Sequence, residues 1–255
     1  MDGGPIIATP WDTPPETGAA TEVAPGVLWL RLPLPMVLDH VNIYALDEGD
    51  SWTIVDTGIH SKRSVALWED ILSGPLQGRP VRRVILTHHH PDHIGMAGWL
   101  MARFGAELWA SRTSWLMARM LILDVEDSPT PQALAFSRAG GMDSEIYEAR
   151  KSERPYNFSD ICAPIPVGYT RIQEGAVIRA GGYDWDVRMG GGHAPEHVTL
   201  WSRDANLVIA GDQILPGISP NIGVYPTEPE ADPLADWLAA CDRLAAHARD
   251  THLVL

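Results

Sequence analysis

Residues 88–93 read H-H-H-P-D-H, which contains the spacing H-x-H-x-D-H. Imidazole nitrogens and carboxylate oxygens are ligands that zinc and iron accept in hydrolytic sites. The segment follows the apolar run Val84–Leu86 and precedes an amphipathic run from Ile94 to Phe104. Imidazoles and a carboxylate that follow a strand and precede a helix are not the residues expected in a hydrophobic core. The spacing therefore predicts a metal site.

Two further segments carry residues that could take part in the same chemistry. His193 follows three glycines, Gly190–Gly192, which let the backbone pass close to another group. Asp212 follows Gly211 at the end of an apolar run. Taken alone, the first segment could be a simple turn, and the second a strand-end aspartate that caps a loop. Together with the histidine cluster, they favour one metal centre.

The elements that must position these residues alternate between strands and helices. We expect a flexible N-terminal arm over 1–26 and one domain over 27–255, interrupted by a helical insertion over about 111–167. Strands resume after the insertion, and a helix begins at Pro233 with Asp232 as its N-cap. That helix is expected to bury the stripe Leu234, Trp237, Leu238, Cys241 and Leu244. The order predicts a layered α/β domain.

The composition restricts the kinds of molecule that this chain is expected to bind. The chain has 255 residues and a formal charge of −14, so a phosphate backbone would be repelled on average and nucleic acid is disfavoured. No apolar run approaches membrane-spanning length, and the N-terminus does not resemble a signal peptide. The two cysteines form no C-x-x-C pair. We therefore expect a cytoplasmic protein that acts on a small molecule.

The three segments, together with Asp56-Thr57-Gly58, resemble the signature of the metallo-β-lactamase superfamily of metallohydrolases. The resemblance covers nearly the whole chain from about Val27. It implies a four-layer αββα sandwich with a binuclear metal site at one edge. It also implies two Zn²⁺ ions, with a water or hydroxide between them as the nucleophile. Two such ions can generate hydroxide near neutral pH and stabilise a developing oxyanion.

The resemblance assigns roles to individual residues. His88, His90 and His193 would hold the first metal, Asp92 and His93 the second, and Asp212 would bridge the two. Asp92 would also orient the nucleophile and carry its proton, which makes it the expected catalytic residue. Behind these ligands, Asp56 is expected to orient an imidazole or its own loop. His197 is expected to be a structural partner of its turn, and His89 to point away from the metals.

The chain departs from the family in its last residues. Members normally complete the second metal site with one more histidine in a loop after the last strand. Here that strand is Leu253–Leu255, and His252 lies too early to match. We therefore expect a C-terminal truncation, or a second site that lacks one ligand. A single iron ion on the three histidines is the alternative, as in a persulfide dioxygenase-like oxidoreductase.

Subclasses of the family carry different residue types at several positions that can be compared with this sequence. Antibiotic-hydrolysing β-lactamases typically have Cys or Ser at the position of Asp212. Flavin-linked di-iron reductases have Glu at the position of His90, and quorum-signal lactonases often have Tyr at that of Leu215. The remaining resemblance is to the glyoxalase II-like hydrolases, although Glu196 stands where they usually have Gly. The sequence thus predicts hydrolysis of an ester, thioester or lactone. A β-lactamase and a non-catalytic binding protein are the less favoured alternatives.

Overall fold

The computed structural model describes residues 7–255 and contains two β-sheets flanked by helices. The first sheet has the order β1-β2-β3-β4-β5-β6-β7, and the second has the order β12-β11-β10-β9-β8. The strands are β1 (Ala20–Ala24), β2 (Val27–Pro33), β3 (His40–Asp47), β4 (Trp52–Val55), β5 (Val81–Ile85), β6 (Glu107–Ala110), β7 (Thr170–Arg171), β8 (Val177–Ala180), β9 (Tyr183–Gly190), β10 (His197–Ser202), β11 (Leu207–Ile209) and β12 (Leu253–Val254).

Pairing within the first sheet changes from antiparallel to parallel at β4. Strands β1 to β4 form antiparallel pairs, whereas β4, β5, β6 and β7 run parallel. Parallel neighbours need crossover connections. The helices are α1 (Lys62–Ser73), α2 (Pro91–Ile94), α3 (Ala97–Phe104), α4 (Arg112–Leu123), α5 (Pro131–Ala139), α6 (Ser144–Arg150) and α7 (Pro233–Ala245). Helices α4, α5 and α6 lie within residues 111–167, the segment for which the sequence predicts a helical insertion.

Three clusters of buried side chains lie between four layers. One cluster joins the first sheet to α1 and α3, with Ile54 and Val84 against Trp68 and Leu100. A second fills the space between the two sheets and includes Val55, Ile85, Val187, Val198 and Leu200. A third packs Leu244 of α7 against Trp201 and Val208 on the outer face of the second sheet. The expected four-layer αββα sandwich is confirmed.

Some boundaries differ from those that the sequence predicts. Within the expected arm, Ala20–Ala24 forms a strand that pairs with β2, and residues 1–6 lie outside the described part of the chain. The helix expected from Ile94 to Phe104 is divided into α2 and α3. Gly95 lies at the division, where an added Cβ would come within 2.6 Å of the Gly58 carbonyl oxygen.

The buried stripe expected on α7 is only partly correct. Leu244 is 5% exposed, whereas Leu234 and Leu238 are each 56% exposed. The apolar spacing is that of a buried face, but the described elements pack only on the side of Leu244 and Ala240. The N-cap Asp232 is confirmed, since its side chain accepts a hydrogen bond from the Ala235 amide at 3.0 Å. No helix among residues 7–255 is long and apolar enough to cross a membrane.

Candidate metal centre

Strand ends bring the chemical residues to one edge of the sandwich. Parallel β4 and β5 end at Val55 and Ile85, so Asp56 and the histidine segment leave the first sheet side by side. In the second sheet, β9 and β11 end shortly before His193 and Asp212. The backbone amide of Val198 in β10 donates to the Thr87 carbonyl, which joins the two sheets at this edge. Residues more than a hundred positions apart thus become neighbours.

His88, His90 and His193 turn one ring nitrogen each toward a common point. His88 Nε2 lies 3.0 Å from His90 Nδ1, which lies 3.0 Å from His193 Nε2, and the two Nε2 atoms are 3.2 Å apart. Nitrogens at about 2.05 Å from a tetrahedral zinc ion would be roughly 3.3 Å from one another. The spacing therefore fits three imidazoles on one ion.

Burial keeps two of these imidazoles in the form that binds metal. It lowers the pKa of His88 well below its usual value, and the neighbouring histidines lower it further. The same causes lower the pKa of His90 to about 2. A neutral imidazole has a free lone pair, which a metal ligand requires. The three-histidine group therefore offers lone pairs rather than positive charges to its centre.

A second group surrounds Nε2 of His93. That atom lies 3.4 Å from Asp212 Oδ1 and 3.6 Å from Asp92 Oδ2. The other oxygen of Asp212 lies 3.3 Å from His193 Nε2. Asp212 is thus situated between the two groups, and His88, His93 and Asp212 also bring their ligand atoms within 4.8 Å of one another. This is the placement expected for a bridging carboxylate.

The charges in the second group are strongly coupled. Burial lowers the pKa of His93, but the carboxylates of Asp212, Asp92 and Asp56 outweigh it and raise the pKa well above its usual value. Burial would raise the pKa of Asp212, but His93 and His193 outweigh it and lower that pKa. Without a cation, His93 itself supplies the positive charge that these carboxylates require. A divalent cation could take over that role.

Asp56 supports ligands of both groups from behind. Its Oδ2 lies 2.8 Å from His93 Nδ1 and accepts a hydrogen bond from the Thr87 hydroxyl at 2.7 Å. That hydroxyl in turn lies 3.0 Å from His88 Nδ1. The Asp56 Oδ1 accepts from the Thr87 amide at 2.8 Å. Two imidazoles are thereby oriented with their Nε2 atoms toward the metal side, as metal-bound histidines usually are.

His193 is oriented by the loop before α7. Its Nδ1 lies 2.8 Å from the Asn221 carbonyl oxygen, to which it can donate, leaving Nε2 with a lone pair. The turn before it needs glycine, because Gly192 has a φ of +87° and an added Cβ would lie 2.5 Å from Trp237 Cβ. The glycine-rich segment therefore allows α7 to pack directly against the turn that carries His193.

Two further histidines, His197 and His89, lie near the centre but do not belong to either ligand group. His197 is fully buried and stacks on His88, with ring centroids 4.6 Å apart. Neither of its nitrogens has a hydrogen-bond partner among the described residues. Burial lowers its pKa to about 3, so it is neutral. His89 is 6% exposed and its ring centroid lies 4.7 Å from that of His90, but it belongs to neither ligand group. His252, the late histidine noted in the sequence, packs on Trp201 instead.

Glu196 is a functional candidate that the ligand pattern alone does not predict. Its φ is +48°, an uncommon conformation for a residue with a side chain. Its carboxylate accepts a hydrogen bond from the Thr113 amide at 2.8 Å. Burial raises the pKa of Glu196, but hydrogen bonding to Thr113 and the charges of Arg171 and Arg112 together outweigh it and lower the pKa. The only signal in the sequence is the departure from Gly at this position of the turn.

Comparisons with known proteins relate this chain to metallohydrolases. Residues 36–246 match the family model of the metallo-beta-lactamase superfamily. A Beta-lactamase domain protein from Burkholderia ambifaria has a solved structure that is 38% identical, with a TM-score of 0.82; the likeness covers 96% of this chain and 72% of that one.

Two curated relatives are more distant. The probable metallo-hydrolase YqjP of Bacillus subtilis is 25% identical over 76% of this chain. The hydroxyacylglutathione hydrolase GloC of Haemophilus influenzae is 21% identical over 67% of it. The matches span 59% and 65% of the length of those two relatives, respectively. Residues 36–246, which match the family model, include every segment that forms the site.

Proposed function

Because the chain belongs to the metallo-β-lactamase superfamily, we propose that it is a zinc-dependent hydrolase that cleaves an ester, thioester or lactone of a small molecule. The observation that carries the proposal is the convergence of His88, His90 and His193 on one point. Asp212 lies between this group and His93, with one oxygen near His193 and the other near His93. Imidazole and carboxylate ligands are those of hydrolytic zinc sites. The match to GloC supports the thioester class.

The site residues suit this chemistry. We assign His88, His90 and His193 to a first zinc ion, Asp92 and His93 to a second, and Asp212 to both. Divalent ions held there would polarise the carbonyl of the substrate and make water more acidic. The carboxylate of Asp92 is then placed to accept a proton from attacking water and to deliver it to the leaving group. Asp56 keeps His93 and His88 in the orientation that these steps require.

The test is turnover as a function of metal content. Protein stripped by a chelator should lose hydrolysis of a panel of thioesters, esters and lactones, and added Zn²⁺ should restore it. The Asp92→Asn and His88→Ala variants should lose turnover, whereas Asp70→Asn, at an exposed position of α1, serves as the matched control. Full activity in stripped protein would reject the proposal. Assays on single- and double-stranded DNA check the expected exclusion of nucleic acid.

A mono-iron oxidoreductase is the second candidate. It is favoured by one observation: the three-histidine group is complete, whereas His252 does not join the second group. Three imidazoles would also hold a single iron ion. One iron per chain in freshly purified protein, with oxygen consumption on a persulfide and no hydrolysis of the panel, would decide for this candidate. Two zinc ions with hydrolysis would decide against it.

A further inference from the structure

A cavity of about 320 Å³ adjoins the metal centre on the side of His193. It lies between the glycine-rich turn, helix α7 and the loop that precedes α7. Its lining includes six residues that carry charge or can form hydrogen bonds through an imidazole: His89, His193, Glu196, Glu228, Asp236 and Arg243. Because His193 belongs to both the cavity and the metal group, a substrate whose carbonyl is at the metals can extend into this space.

The charges around the cavity are mainly negative. Three carboxylates face one guanidinium, in a chain whose formal charge is −14. Glu196 is already engaged by the Thr113 amide at 2.8 Å, and Arg243 points toward the Met189 carbonyl at 3.4 Å. Glu228 and Asp236 are exposed and remain available to a ligand. Such a wall attracts cations and repels anions.

The N-terminus of α7 does not reverse this preference. A helix N-terminus attracts anions through its free amides. Here Asp232 already caps it by accepting from the Ala235 amide at 3.0 Å, and Asp236 adds a second negative charge in the first turn. An anionic ligand would therefore meet a helix end whose positive potential has been compensated by the protein itself.

A largely buried polar side chain also belongs to the wall of the cavity. His89 is 6% exposed and lines the cavity, and its Nδ1 has no hydrogen-bond partner among the residues that the structure describes. A buried polar atom without a hydrogen-bond partner destabilises the folded protein. Where the imidazole of His89 lines the cavity, a ligand that carries N–H or O–H groups could form a hydrogen bond with it, whereas an alkyl chain could not.

We propose that this cavity binds the ammonium-bearing end of the acyl group of the substrate. The proposal rests on the hydrolase function proposed above and narrows its substrate class. Glu228 and Asp236 supply the opposite charge, and His89 supplies a hydrogen-bonding imidazole deeper in the wall. A carboxylate-terminated acyl group is disfavoured by the same residues. The reaction that provides the substrate must therefore attach an amine-bearing acid to an alcohol or a thiol.

Three thioesters of one leaving thiol test this inference on the zinc-loaded full chain. Their acyl chains have equal length and end in an ammonium, a methyl or a carboxylate group. At low salt, we expect kcat/KM to fall in that order, with at least a tenfold difference between ammonium and carboxylate. Glu228→Gln and Asp236→Asn should each reduce this ratio several-fold, because each removes one of the charges that distinguish the ammonium group from the carboxylate. Glu230→Gln, an exposed neighbour outside the cavity, is the matched control.

The outcomes separate this inference from the hydrolase function. Equal kcat/KM values, or a preference for the carboxylate, would overturn the inference and leave the hydrolase proposal intact. No turnover of any of the three would count against the hydrolase proposal instead. In that case, binding of the matching non-hydrolysable amides, measured by calorimetry, still shows whether the cavity prefers the ammonium group. Equal binding of the ammonium and carboxylate amides would again overturn the inference.

Discussion

The carboxylate of Glu196 accepts a hydrogen bond from the backbone amide of Thr113 at 2.8 Å. Thr113 lies in the first turn of α4, where backbone amides have no partner within the helix. Glu196 lies on the turn that carries His193, at a φ of +48°. One hydrogen bond thus connects the helical insertion to the metal centre, at the cost of a backbone conformation that glycine adopts more easily.

Replacing this side chain should loosen the insertion without unfolding the domain. Glu196→Gly removes the acceptor but relieves about 1 kcal/mol of backbone strain, so global stability should change little. We expect hydrogen exchange in the first turn of α4 to become at least tenfold faster. Glu196→Gln keeps an acceptor and should exchange more slowly than Glu196→Gly. Equal protection in both variants would show that the contact does not hold the insertion.

Removing the charge of Asp56 should weaken metal binding. Asp56→Asn takes away a carboxylate that orients His93 directly and His88 through Thr87. Loss of such a partner typically lowers metal affinity about 10–100-fold. Competition with a chromophoric chelator measures the change, and Asp70→Asn should bind as the unmodified protein does. An affinity within twofold of the unmodified protein would contradict the role assigned to Asp56.

The buried His197 should make the metal-free protein sensitive to acid. Unfolded histidine binds a proton below about pH 6.5, whereas burial lowers the pKa of folded His197 to about 3. Its contribution to stability is therefore present above pH 6.5 and is lost as pH falls toward 3. The loss amounts to about 1.4 kcal/mol per pH unit.

The His197→Phe variant isolates this contribution. Neither nitrogen of His197 has a partner among the described residues, so the replacement breaks no hydrogen bond that the structure shows. Urea unfolding in chelator between pH 6 and pH 4 should give a slope that is smaller by about 1.4 kcal/mol per pH unit. The comparison concerns slopes and does not depend on the absolute stability of the variant. Parallel slopes would mean that His197 is not buried in its neutral form.

Gly98 should be required for packing the insertion against α3. An added Cβ would lie 2.1 Å from the Pro164 carbonyl oxygen. We expect Gly98→Ala to lower the free energy of unfolding by about 1–3 kcal/mol, even though alanine favours helices. Gly140→Ala is the control, because Gly140 has a φ of −72° and its nearest contact would be at 3.5 Å. Urea midpoints with unchanged m-values report the difference, and equal midpoints would contradict the close contact.

The sequence predicts the chemistry of the site better than the packing around it. His88, His90 and His193 are recognisable because few other functions require imidazoles at this spacing, and strand ends place them at one edge. Local rules also predict the N-cap Asp232, since a cap depends only on its own turn.

Features that depend on distant partners are not predictable in this way. Leu234 and Leu238 have the spacing of a buried face, yet they are exposed because no described element covers them. The contact of Glu196 with Thr113 joins residues that are 83 positions apart. No local pattern encodes such a contact. The strand Ala20–Ala24 likewise depends on β2 as its partner rather than on its own composition.

Metal content and turnover, measured on the same sample during a titration with Zn²⁺, test the proposed zinc-dependent hydrolysis most directly. We predict that stripped protein is inactive and that hydrolysis of a thioester rises with bound zinc toward about two ions per chain. His193→Ala should bind less zinc and remain inactive throughout. Undiminished hydrolysis in protein without metal, or zinc that binds fully without any hydrolysis, would contradict the proposed zinc-dependent function.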